Sequence, residues 1–284
     1  MMRVLLLVVL LLLAGAAPAA AHDVSEHGAP GVASNLRSTP VSAPLPGGVT
    51  VDVLHNGQAL LLRNGSGVPV TVVTSGGSAR MEVPAGGRLQ WHEDAAHPDP
   101  SVVGPDRPVR QWRVELLTGG QRYEAVGEVR WTPGPSPWPW FAAAAVLAAV
   151  VAAAARRRWL AAPLGAAVAA SVTHNAAALA ARAGESSLLG DYLPQAGCWA
   201  LGAAAAYLLA RDRGDGLWLG ALASAGLVLL TATRAAPVLW SSTVLVSLPA
   251  TLDRLLVIAA SGLAAGYLLA LPRIAQPVRA PRRP

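Results

Sequence analysis

The sequence predicts a membrane protein in two parts: an N-terminal all-β domain outside the membrane, Ig-like or cupredoxin-like, followed by an all-α bundle of about five transmembrane helices. Three observations predict it. The 284-residue chain is 53% hydrophobic and only 13% charged, whereas a soluble domain carries about a quarter of charged residues. The apolar surplus is segregated, because residues 49–133 read like a water-soluble segment and residues 138–272 are a series of Ala/Leu/Val blocks. The chain also opens on the pattern of an export signal.

That signal is expected over residues 1–21. Met1–Arg3 gives a short positive start, Val4–Leu13 an uninterrupted apolar run, and Ala19-Ala20-Ala21 the small residues a signal peptidase reads. Cleavage after Ala21 leaves His22 as the first residue; cleavage after Ala19 puts it third. Residues 22–48 are expected to be a flexible tether, since Gly28 to Gly48 mixes Gly, Pro, Ser and Ala without a sustained apolar period.

The β domain is expected over 49–133. Short β-type runs at Val49–Leu54, Ala59–Arg63, Val68–Thr74 and Arg80–Val83 are separated by Asn56-Gly57, Asn64-Gly65-Ser66-Gly67 and Ser75-Gly76-Gly77-Ser78, which is hairpin punctuation. Further strands are expected at Gly87–Trp91, Gln111–Leu117 and Tyr123–Trp131, with Thr118-Gly119-Gly120 turning between the last two. About seven short strands suit a sandwich without giving their order. Asn64-Gly65-Ser66 matches a glycosylation sequon, but a hairpin turn accounts for it equally well.

The stretch Pro133 to Pro139 forms a stiff exit, and Trp138 and Trp140 sit where an interfacial aromatic belt begins. The helical part is expected over 134–272, with spans at about 139–155, 159–182, 193–210, 217–236 and 249–271, each suited to a core of roughly 30 Å. Arg156-Arg157-Arg158, Arg211 and Arg213 lie on the side opposite the β domain, as do Arg273, Arg279, Arg282 and Arg283 of a basic tail at 273–284. The outer loops hold Glu185 and Asp191, with Arg182 and Arg234 at their margins. By the positive-inside rule the β domain is extracytoplasmic and the C-terminus cytoplasmic, in a multi-pass protein of the cytoplasmic membrane. Gly262 and Gly266 stand at GxxxG spacing and would let two helices approach closely.

Charge and cysteine content exclude some classes. All 22 basic residues are Arg, many of them at the ends of apolar blocks rather than on one face, so nucleic acid is not an expected partner. The single cysteine, Cys198, falls in an apolar block and reads as a small core residue; the β domain has no disulfide. No Ser-His-Asp or Cys-His arrangement with a nucleophile elbow stands out, and the chain is not expected to be an enzyme.

Two constellations carry chemistry. Trp91-His92-Glu93-Asp94-Ala95-Ala96-His97-Pro98-Asp99 puts two imidazoles and three carboxylates in nine residues. Its histidines are five apart and would not share a helix face as the zinc-protease pair does, but a loop can curl both onto one ion. His22, His27 or His55 would complete a nitrogen-rich site, with Asp94, Glu93 or Asp99 offering an oxygen; a solvated polar loop has the same composition. A first-residue His22 brings an α-amine and a ring nitrogen to one ion, a combination that suits Cu(II). Inside the spans, His174 lies beside Asn175 in the second, Asp253 and Arg254 lie about one turn into the fifth, and Arg234 lies near the same level. Ionisable groups there are costly and face protein or water, serving either a transport path or an ion pair that locks helices.

The stretch of Trp91, His92, Asp94 and His97, then Trp112, Gly119-Gly120, Gly127, Trp131 and Trp138-Pro139-Trp140, resembles a group of uncharacterised actinobacterial secreted and membrane proteins over residues 49–140. Glu93-Asp94-Ala95-Ala96 replaces a more His- and Arg-rich run of that group. In layout, an exported sandwich joined to membrane helices is similar to fused copper-resistance proteins of the CopC/CopD type. That resemblance implies a copper cofactor and a mature N-terminal histidine ligand, a role that falls to His22. The expectation is therefore an envelope protein that captures copper through His22, His92 and His97 and passes it inward by His174 and Asp253. The alternative is an anchored structural or interaction protein that recruits an envelope partner.

Overall fold

The computed structural model describes residues 33–41, 45–57, 59–77, 79–181, 188–244 and 246–275. The expected signal segment 1–21, with His22 and His27 after it, and the tail beyond Ala275 lie outside the described residues. The chain divides into a β unit, Ala33–Gly134 together with Ser241–Leu245, and a helical unit, Pro135–Trp240 together with the chain from Val246.

In the β unit all seven expected strands form: β3 (Val49–Leu54), β4 (Ala59–Asn64), β5 (Val70–Val73), β6 (Arg80–Val83), β7 (Arg88–Trp91), β8 (Val109–Thr118) and β9 (Gln121–Trp131). Two more precede them, β1 (Ala33–Ser34) and β2 (Leu36–Val41), and β10 (Thr243–Val244) comes from the chain between the last two helices. A five-stranded sheet runs β2-β9-β8-β5-β6, a three-stranded sheet runs β3-β4-β7, and β1 pairs with β10; every pairing is antiparallel. One buried core takes side chains from both larger sheets, among them Leu60, Leu62 and Trp91 from one and Val70, Val72, Trp112 and Leu116 from the other.

Two asparagines of the expected turns do more than turn the chain. Asn56 adopts a left-handed conformation (φ 59°) between β3 and β4, accepts from the Ser38 amide at 2.9 Å and donates to the Leu36 carbonyl at 2.9 Å, which fastens β2 to that hairpin. Asn64 is buried and donates to the carbonyls of Val68, Val83 and Pro84 while Ser66 donates to its Oδ1. Its amide is built into the turn, which accounts for the sequon.

The tether expected over 22–48 is corrected over part of its length, because β1 and β2 belong to the β unit. In β2 the inward positions alternate as Leu36 and Ser38, so a buried serine interrupts the apolar period. Pro40 is tolerated because β2 is an edge strand, where a missing N–H breaks no ladder.

In the helical unit the α-helices are α1 (Trp138–Ala154), α2 (Ala161–Ala181), α3 (Leu188–Ala210), α4 (Asp215–Leu230) and α5 (Ala250–Ile274). Among the described residues four helical segments are long and apolar enough to cross a membrane; α1, at 17 residues, is apolar but shorter. The third of these continues past α4 as a π-helical stretch, Thr231–Ala235, and a 3-10 turn, Ala236–Leu239. Pro237 explains the change of winding, since it lacks an N–H and its ring crowds the preceding turn.

The GxxxG expectation holds. A Cβ at Gly262 would stand 2.9 Å from the Ala144 carbonyl oxygen, and one at Gly266 would stand 2.6 Å from Val151 Cβ, so α5 packs on α1 through its glycines. Cys198 is buried, as a small core residue should be.

Gly127 faces Trp112 across the β8–β9 ladder, and a Cβ there would fall 2.0 Å from the indole ring. Trp112 is itself buried and has little room to move. Gly127→Ala is therefore expected to destabilise the β unit by about 1–3 kcal/mol through overpacking. The check is a lower midpoint in urea unfolding of the detergent-solubilised full chain, followed by tryptophan fluorescence.

Candidate functional site

The histidine-rich loop follows β7 and belongs to the β unit. His92 and His97 come together, their ring centroids 5.9 Å apart and tilted by 54°. His92 is exposed, and its Nε2 lies 2.9 Å from Asp94 Oδ1. The five-residue spacing is closed by a turn in which the Ala96 amide donates to the Glu93 carbonyl at 3.0 Å and the His97 amide to the Asp94 carbonyl at 3.2 Å. Arg110, from β8, clamps that turn by donating through Nη2 to the Ala95 and His97 carbonyls at 2.9 and 2.7 Å.

The three carboxylates separate into three roles. Glu93, expected as a candidate oxygen donor, points inward and is 2% exposed. It accepts from the Ser75 hydroxyl and amide and, at 3.2 Å, from Trp91 Nε1. It is a structural pin, because a buried carboxylate needs several donors to offset its lost hydration. Asp99 caps its own turn, accepting from the Ser101 amide at 2.8 Å and hydroxyl at 2.6 Å. Those bonds hold its carboxyl below the usual carboxylate range. Because the folded value is the lower one, the turn's contribution is present above the ordinary carboxylate pKa and is lost as acid protonates the folded group. Asp94 alone stays in water, its side chain 86% exposed beside His92.

Among the described residues no group of three or more His, Cys, Asp or Glu side chains stands in a metal-holding arrangement. His55 opens the short turn after β3.

The second constellation lies in the helical unit. His174 of α2 and Asp253 of α5, 79 residues apart in sequence, meet with Nδ1 2.7 Å from Oδ1, and their side chains are 7% and 0% exposed. The polar groups expected at one level of the spans do not all converge on this pair. Arg254 turns away to donate from Nε to the Val238 carbonyl at 3.1 Å and lies over the Trp140 ring at 5.9 Å, while Arg234 lies within the π-helical stretch.

Beside the pair is a pocket with room for about one water molecule, lined by Ser171, His174, Asn175, Gln195 and Thr231 on its polar side. Gln195 and Ser171 were not singled out from the sequence. Both sit at helical spacing from recognisable neighbours, Ser171 three residues before His174 and Gln195 four before Trp199, whose Nε1 donates to Ser171 Oγ at 3.0 Å. Two buried acceptors here, Gln195 Oε1 and Asp253 Oδ2, have no hydrogen-bond partner among the described residues.

Compared with known proteins, the chain stands apart: no family model, no curated protein and no solved structure matches it.

Glu93→Ala strips Ser75 and the Trp91 indole of their acceptor. It is expected to cost about 1–3 kcal/mol of β-unit stability, the penalty for buried donors left unpaired. A drop in the urea midpoint of the full chain checks it, and a variant as stable as the parent would reject the structural role.

Proposed function

We propose that this chain is a multi-pass protein of the cytoplasmic membrane that captures copper on an exported β-sandwich, with His92 and His97 as imidazole ligands. The observation that carries the reading is the convergence of those two rings at 5.9 Å. A metal–nitrogen bond of about 2 Å puts each ring centroid about 3 Å from the ion, so one ion can serve two imidazoles whose centroids are up to roughly 6 Å apart.

Asp94 is assigned a different task from the direct ligation expected of it. By bonding Nε2 of His92 it orients the ring, and in that arrangement Nδ1 is the coordinating atom, as in the carboxylate–histidine–metal relay common to metal centres. His22, as the first residue of the mature chain, supplies the remaining nitrogens, and a nitrogen-rich set favours Cu(II) among divalent ions. The layout similarity to copper-resistance proteins of the CopC/CopD type supports the same reading.

In this reading the helices anchor the domain through five spans, α1 included. Inward transfer by His174 and Asp253 would require their pair to open.

The orientation is tested in a Cys198→Ala background carrying single new cysteines. Ser101→Cys is expected to react with an impermeant maleimide added to intact cells, and Arg158→Cys only after the cells are opened. The reverse pattern would overturn the orientation.

Copper binding is tested on the full chain purified in detergent, with intact mass fixing its first residue and Cu(II) titration followed by electron paramagnetic resonance. One equivalent of a nitrogen-rich tetragonal signal is expected, with affinity falling about tenfold or more in His97→Ala and in His22→Ala. No specific signal would reject copper capture and leave the alternative, an anchored interaction protein of the envelope.

A further inference from the structure

The buried pair between α2 and α5 raises a question of charge. An ionised carboxylate in an apolar bundle requires either a positive partner or a full set of hydrogen-bond donors. Among the described residues the Asp253 carboxylate accepts one side-chain bond, at Oδ1 from His174 Nδ1, and its buried Oδ2 has no partner. Its compensation therefore rests on the imidazole. With one proton, on Nδ1, the pair carries a net negative charge; with a second, on Nε2, it is neutral overall.

The pocket lies where such a proton would travel. His174 lines it, and so does Gln195, whose buried Oε1 finds no donor among the described residues. A polar pocket of about one water's size beside a buried acceptor is suited to hold a water. Thr231, where the chain enters its π-helical stretch, lines it too, and such stretches recur at functional positions.

We propose that this pocket is a proton-binding site: a water held between Gln195 and His174 delivers protons to, and removes them from, the imidazole of the His174–Asp253 pair. In the loading step a proton from the pocket water bonds to Nε2, the Nδ1–H bond to Asp253 stays, and the hydroxide left on that water is neutralised by a proton from bulk solvent. No electron changes hands.

The surrounding charge is sparse. Among the described residues α1 and Ala236–Leu239 bring no titratable side chain, α2 brings none besides His174, and α4 brings Asp215 at its far end. The π-helical stretch adds Arg234, and α5 adds Arg254, engaged with Val238 and Trp140, and farther along Tyr267 and Arg273. From α3, which packs on α2, come Asp191, Tyr192, Cys198 and Tyr207.

The site is independent of the copper reading, so it is tested on chelator-treated full chain reconstituted in phosphatidylcholine vesicles. With histidine labelled by nitrogen-15, the His174 signal is identified by its loss in His174→Gln and followed by solid-state NMR over about pH 4 to 10. It is expected to move between the neutral and imidazolium forms, and Asp253→Asn should lower the proton affinity about tenfold or more by removing the opposite charge. Gln195→Leu should slow exchange of the Nε2 proton with solvent while leaving the midpoint in place. One protonation state across the whole range, an unchanged midpoint in a folded Asp253→Asn, or unchanged exchange in Gln195→Leu would each overturn the proposal. Should Asp253→Asn fail to fold, the unmodified chain and Gln195→Leu still decide it.

Discussion

A polar group taken out of water must meet a partner, and that constraint organises both units of this chain. In the β unit it operates through Asn56, Asn64 and Glu93, none of which faces solvent freely. Each ties together segments that strand pairing alone would leave separate: β2 to the first hairpin, the turn after β4 to the end of β6, and the loop at Ser75 to the end of β7. With no disulfide available, these side-chain bonds fix loops that in other small β domains are often held by covalent links. In the helical unit the same rule joins His174 to Asp253 and so holds α2 against α5.

The strands were legible because their pattern is physically direct. Alternating Val and Leu over 49–54 and 70–73, bounded by Asn-Gly and Gly-rich turns, specify half-buried strands and little else. Residues 33–41 were not legible for equally direct reasons. A serine fills an inward position, a proline occupies the edge, and the composition is that of a linker. β10, two residues between helices, is too short to carry any period. The helices were legible as apolar blocks, yet no hydropathy pattern shows where α4 widens into a π-helical stretch, which depends on Pro237 and on packing around it.

Legibility of the candidate sites divides along the same line. His174 and Asp253 stood out because ionisable residues are rare in apolar helices, but only tertiary structure pairs residues 79 positions apart and leaves Arg254 aside. Gln195 is neutral and Ser171 is common in such helices, so neither drew notice. In the histidine-rich loop, composition marked three acids as interchangeable oxygen donors. Folding distinguishes them by the direction of the chain after β7, which turns Glu93 inward beneath Trp91, leaves Asp94 in water and spends Asp99 on its own turn.

That division of labour bears on how the loop would meet a ligand. Arg110 and Glu93 hold it from below through bonds that involve neither imidazole ring, so the position of His92 and His97 is set by the protein itself. A loop preorganised in this way would give up little conformational entropy on meeting a ligand. The pair inside the helices is under the opposite rule. There the two polar groups are each other's partners, and a ligand that displaced either would have to break a buried bond of 2.7 Å instead of adding to a prepared surface. An exchangeable proton on the free ring nitrogen breaks no such bond, since it changes the charge of the pair and leaves every heavy atom in place.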